Sequence, residues 1–196
     1  MPEAPEVLAP QGMKVGRIDP SDIVDLADAA TKRKFGTDVS FVKSFFRPYL
    51  YLDANAIGKA GLDQELVEQP IAEEILTYDG IALAVSMKSL PTLQNTATLE
   101  RIRNNHHPAR SGDVYVVQKP YWFLQEGNEI AVMHGSPWRY DTYVPIIFSG
   151  VGLRGRTVNR PVRQVDIAPT LAAVLGIKPP SSTSGEPLVE VLQDTD

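Results

Sequence analysis

The sequence predicts an α/β layered fold with a small antiparallel strand pair. Two features carry that expectation. Helical patterns alternate with short β-rich runs along the chain, and two runs, GIALAVS at residues 80–86 and VPIIF at 144–148, are almost wholly apolar. Short continuous apolar runs are typical of strands covered on both faces, which belong to layered folds.

The elements follow in order. The first dozen residues, MPEAPEVLAPQG, are Pro-rich and acidic, and residues 1–18 read as an extended arm. A helix is expected over residues 21–34, where Ile23, Leu26, Ala27 and Ala30 share one face and Gly36 suits a C-terminal cap. Residues 39–46 and 49–53 are β-rich and meet at Arg47-Pro48, a strand pair. A second helix, 63–78, turns Leu66, Ile71 and Ile75 inward, and Pro70 either kinks it or marks its true first turn.

The buried-type strand 80–86 comes next, then a helix over 92–103 and a turn-plus-strand, RSGDVYVVQKP, over 110–120. Residues 144–148 form the next strand. The best-defined helix is VDIAPTLAAVLGI. Asp166 is placed to cap it, Pro169 lies in its first turn, and Leu171, Val174 and Leu175 bury one side before Gly176 closes it. The strands 80–86 and 144–148 are expected in one sheet, covered by this last helix.

At 196 residues the chain suits one sizeable domain. Its 19 basic and 24 acidic residues, net −5, give no nucleic-acid footprint. No apolar run approaches membrane-spanning length. With no cysteine, thiolate metal sites and thiol nucleophiles are excluded. The N-terminus lacks the basic and apolar regions of a signal peptide.

Only three histidines are present. His106 and His107 are adjacent in NNHHPARSGD, so their rings diverge and a polar loop explains them. His134 sits in HGSP, a turn with room beside the ring, where it can be a metal ligand, a general base or neither. Asp141 follows seven residues later; it either orients the imidazole or caps a turn. No HExxH, GxSxG, P-loop or GxGxxG signature occurs, and GVGLRG leads into no helix.

HGSPWRYDTYVPIIFSG followed by RPVRQVDIAPTLAAVLGI resembles the C-terminal end of the alkaline phosphatase superfamily. The nearest branch is the phosphate-irrepressible type, related to nucleotide pyrophosphatases/phosphodiesterases. RSGDVYVV and LYLD at residues 50–53 extend the likeness over essentially the whole chain. The resemblance implies the C-terminal part of an alkaline-phosphatase-like sandwich, acting on phosphate esters with two zinc ions about 4 Å apart. It makes His134 the last ligand, on the metal that activates water, where a neutral imidazole binds zinc without adding charge. The family often has histidine where Tyr143 stands.

No residue here matches the family's nucleophile, its Asp-x-x-x-His ligands or its Asp-His-Gly pair, so no catalytic residue is carried over. In family members Asp-His-Gly comes shortly before a segment like PEVLAPQGMKVGRIDP, so the chain reads as the C-terminal portion of a longer enzyme. It is expected to be inactive alone, to hold zinc at most partially and to self-associate through exposed core surface. The resemblance implies a periplasmic or secreted setting. A non-catalytic binding or association domain of the same fold, or a sulfatase or phosphoglycerate-mutase relative, are the competing readings.

Overall fold

The computed structural model describes residues 3–125 and 130–193. Its contacts separate two compact units, Met1–Tyr143 and Val144–Asp196.

The first unit opens with a short helix, α1 (Pro5–Leu8), and a 3-10 turn at Ala9–Gln11, followed by strand β1 (Arg17–Ile18). The expected extended arm is therefore folded. Proline at the first helical position needs no backbone donor, which favours a helical turn here. Helix α2 (Pro20–Phe35) begins at Asp19, whose carboxylate accepts from the Ser21 amide, and ends at Gly36 in the left-handed region. Strands β2 (Val42–Phe46) and β3 (Tyr49–Leu52) form the expected antiparallel hairpin. Helix α3 (Ala54–Lys59) is capped by Asp53.

Helix α4 (Gln64–Leu76) is capped by Asp63 and continues through Pro70. Proline removes the donor for the carbonyl of Leu66, and Leu66 faces solvent at 62% exposure rather than the core. Ile71 and Ile75 are buried as expected, and Val67 takes the inward place of Leu66. Strand β4 (Ile81–Ser86) follows. Helix α5 (Ala97–Asn105) starts five residues later than expected, because Thr96 caps the Leu99 amide while Leu90–Thr92 is a separate 3-10 turn. Strands β5 (Val114–Gln118) and β6 (Phe123–Leu124) and the single-turn helix α6 (Arg139–Thr142) complete the unit.

The main sheet has the order β2-β3-β5-β4, antiparallel at every pairing, while β1 and β6 pair in parallel. The small strand pair is thus one side of the larger sheet. Alternation along β5 places Val114 and Val116 against Ile23, Ala27, Ile71 and Ile75 of α2 and α4. Tyr115 and Val117 turn the other way, into a cluster with Leu99 and Ile102 of α5. Packing on both faces explains why β4 reads as a continuous apolar run.

In the second unit, residues 144–148 form no strand, contrary to expectation. Val144 is 47% and Ile147 83% exposed, and the segment belongs to neither sheet. An apolar run becomes a strand only where a partner edge takes its backbone hydrogen bonds, and none of the described strands does so. Helix α7 (Ile167–Val174) follows a 3-10 turn at Gln164–Asp166, and α8 (Val189–Leu192) ends the described chain. On α7, Pro169, Thr170 and Ala172 are buried. Leu171, Val174 and Leu175, expected inward, are 45%, 40% and 67% exposed.

Candidate functional site

The turn carrying His134 lies in the first unit, and its imidazole is exposed. Among the described residues the ring makes no hydrogen bond or ion pair. The backbone around it is fixed from the C-terminal side. Asp141, in α6, accepts from the Ser136 amide at 2.9 Å and the Ser136 hydroxyl at 2.7 Å through the same Oδ2. Trp138 donates its indole N–H to the Gln118 carbonyl at the end of β5, 2.9 Å away. Arg101 of α5 donates to the Pro137 carbonyl at 2.8 Å. Gly135 takes φ +108, a conformation that favours glycine.

Asp141 therefore fastens the turn, and among the described residues it makes no hydrogen bond to the imidazole. Its Oδ1 is buried with no hydrogen-bond partner among the described residues. The partner that decides its role is Ser136, five residues back, which the sequence shows only as a turn residue. Trp138 and Arg101 were not legible as turn anchors, because their acceptors are main-chain carbonyls distant in sequence. Tyr143, where the family often has histidine, is 70% exposed, and the Arg139 guanidinium lies 5.0 Å from its ring centroid.

The other histidines stay apart from this turn in their bonding. His107 Nδ1 accepts from the Ala109 amide at 3.2 Å, and His106 Nδ1 is buried without a partner among the described residues. No group of three or more His, Asp or Glu able to hold a metal ion occurs among the described residues. Structural and catalytic zinc sites take three or four protein ligands, so the described residues do not by themselves make up a complete zinc site.

The aspartate and threonine of the Asp-Ile-Ala-Pro-Thr run, in the second unit, hold the chain together locally. Asp166 accepts from the Arg163 amide at 2.8 Å and the Glu186 amide at 3.0 Å. Those backbone bonds, Arg163 first, hold its carboxyl below the ordinary range. It closes the 3-10 turn and grips the following loop instead of capping α7. Thr170 Oγ1 donates to the Asp166 carbonyl at 2.6 Å and accepts from the Leu188 amide at 2.9 Å. Gly185 completes this junction, since a Cβ there would lie 2.0 Å from the Val165 carbonyl oxygen.

Comparison with known proteins places these features in a larger setting. The chain is 28% identical over 190 residues to a protein of Myroides odoratus named calcium-transporting ATPase, covering 96% of this chain and 34% of that protein. It is 29% identical over 144 residues to alkaline phosphatase PhoV of Synechococcus elongatus, covering 72% of this chain and 26% of that one. It is 26% identical over 167 residues to alkaline phosphatase PafA of Elizabethkingia meningoseptica, covering 84% and 30%. Over most of its length the chain is similar to alkaline phosphatases. A crystal structure of wild-type PafA superposes with a TM-score of 0.84 at 24% identity, covering 94% of this chain and 35% of that one, so the two share a fold. No family model matches the chain. The chain spans about a third of the length of the Myroides relative. No helix among its described residues is long and apolar enough to cross a membrane.

Proposed function

We propose that this chain is the C-terminal portion of a metal-dependent phosphomonoesterase or phosphodiesterase of the alkaline phosphatase type. In that reading His134 is one zinc ligand of a two-metal site whose other ligands and nucleophile lie on a different segment, and the isolated chain turns over no phosphate ester. The observation that carries it is the His134 turn itself. An exposed imidazole without a partner among the described residues sits on a backbone held by Asp141, Trp138 and Arg101. An unpaired ring on a fixed turn suits a ligand position, and one histidine alone leaves a two-metal site unfilled.

The exposed apolar side chains of Leu171, Val174, Leu175 and Ile177, with Val144 and Ile147, support the same reading. Apolar faces of this kind are ordinarily covered, here by the remainder of the phosphatase domain, or by a second copy of the chain when that remainder is absent. By the resemblance, the whole enzyme works in the periplasm or outside the cell. A second reading, an association domain without catalysis, is favoured by the lack of a three-ligand cluster among the described residues.

The test is hydrolysis of an aryl phosphate monoester and diester with added zinc. The isolated chain is expected to give no turnover, and fusion behind the remainder of the Elizabethkingia phosphatase is expected to give activity that His134→Ala abolishes. Robust His134-dependent turnover by the 196-residue chain would overturn the incomplete-site reading. An active fusion indifferent to His134→Ala would overturn the ligand assignment. A folded but inactive fusion would favour the association domain.

A further inference from the structure

We infer that Arg17 is a positioning residue for His134, holding in place the main chain that leads into the histidine turn. The inference rests on the reading of His134 as a functional ligand. Arg17 lies on β1, where it pairs with Phe123 of β6. Its side chain is only 13% exposed. Nη1 donates to the Ile130 carbonyl at 3.1 Å and Nη2 to the Ala131 carbonyl at 3.0 Å. Nε and Nη2 donate to the two carboxylate oxygens of Glu6 at 2.8 and 3.0 Å. The guanidinium carbon sits 5.8 Å from the centroid of the Phe123 ring.

Residues 130–133 belong to no helix or strand, so their carbonyls find no acceptor role in regular structure. The arginine fork supplies donors for two of them at once, which a lysine ammonium at the end of a flexible stem does not do with the same geometry. Arg47, at the tip of the β2–β3 hairpin, adds a second hold: its Nη1 lies 2.7 Å from the Leu124 carbonyl oxygen and 2.8 Å from Met133 Sδ. On the far side the Ser136–Asp141 and Pro137–Arg101 bonds fix residues 136–137. His134 and Gly135 are left suspended between two held segments. A ligand carried on a loop keeps its geometry only through such supporting contacts. Glu6 has the different task of orienting the fork and neutralising its charge.

Backbone 15N relaxation on the full 196-residue chain separates positioning from mere stabilisation. In the wild type, residues 130–135 are expected to show order parameters near about 0.85, and Arg17→Ala to drop them below about 0.6. The double variant Glu6→Arg, Arg17→Glu restores an ion pair but gives the loop a carboxylate that cannot donate. It is expected to regain the wild-type melting temperature while residues 130–135 stay disordered. Should Arg17→Ala fail to fold, Arg17→Lys, which keeps the charge without the fork, carries the same measurement. Unchanged order in 130–135, or order restored by the charge swap, would overturn the inference. In the active fusion, Arg17→Ala is expected to lower kcat about tenfold or more with KM nearly unchanged; an unchanged kcat would count against positioning. A fusion indifferent to His134→Ala would instead sink the ligand reading, with the relaxation data still deciding whether Arg17 orders the loop.

Discussion

The Ser86 hydroxyl at the end of β4 donates to the Glu68 carboxylate of α4 at 2.6 Å, in the interior of the first unit. Glu68 also accepts from the Lys88 amide at 3.1 Å and from the Gln64 side chain at 3.0 Å. Gln64 donates in turn to Asp113 at 2.6 Å, and Asp113 accepts from the Leu52 amide at 2.6 Å. One buried carboxylate thereby ties α4 to β4 and, through Gln64 and Asp113, to β3. Replacing it with alanine strands three donors, so Glu68→Ala is expected to cost about 3 kcal/mol or more in urea unfolding. Glu68→Gln, which keeps an acceptor, is expected to cost less than half of that. Equal losses would mean that the network contributes packing only.

The same carboxyl sets a pH dependence. Burial, its largest influence, pushes the Glu68 pKa up from 4.5 despite the opposing hydrogen bonds. A raised acid pKa means that the folded state holds its proton more tightly than the unfolded chain. Its contribution is full below about pH 4.3 and is lost as pH rises through the raised value. Asp166 works in the opposite sense, because its pKa is lowered: its contribution is present above about pH 4 and is lost as pH falls through the depressed value. Unfolding free energies measured from pH 3 upward should therefore show Glu68→Gln gaining on the wild type as pH rises. Asp166→Asn should lose most at neutral pH. Parallel profiles for all three proteins would refute both assignments.

At Gly185 a side chain has nowhere to go. The blocking atoms are the Val165 carbonyl and the Asp166 amide, main-chain groups that cannot swing aside. Gly185→Ala is expected to destabilise the second unit by about 2–4 kcal/mol and to release the Glu186 amide from Asp166. Amide exchange at Glu186 and Leu188 is the readout, and protection equal to the wild type would contradict the close approach.

On α4 two positions of similar chemistry separate cleanly. Ile71 is fully buried and Leu66 is 62% exposed. Ile71→Ala is expected to cost about 2–5 kcal/mol and Leu66→Ala less than about 0.5 kcal/mol. Chemical denaturation of the two variants measures the difference, and comparable losses would show that the helix is rotated from the position described.

The exposed leucines of α7 make a solubility prediction. Leu171→Ser with Leu175→Ser should leave the melting temperature within a few degrees of the wild type and shift sedimentation toward monomer. If the wild-type chain is already monomeric at high concentration, the apolar face is not an association surface.

The sequence by itself determined the local elements. Asp19, Asp53 and Asp63 each precede a helix that they cap, Gly36 and Gly176 end helices in the left-handed conformation, and the apolar run of β4 follows from packing on two faces. These are short-range matters of backbone donors, dihedral freedom and periodicity, and they can be read from a few neighbouring residues. His134 stood out for the same reason, as a histidine in a Gly-Ser turn. Tertiary structure alone decided where the partners lie. The apolar run at 144–148 found no strand edge, and α7 turned its small residues inward and its leucines out. Asp141 bonded to Ser136, and Arg17 reached carbonyls more than a hundred residues away. A pattern of residues fixes which groups need a partner, but the partner itself is set by distant chain brought close in folding.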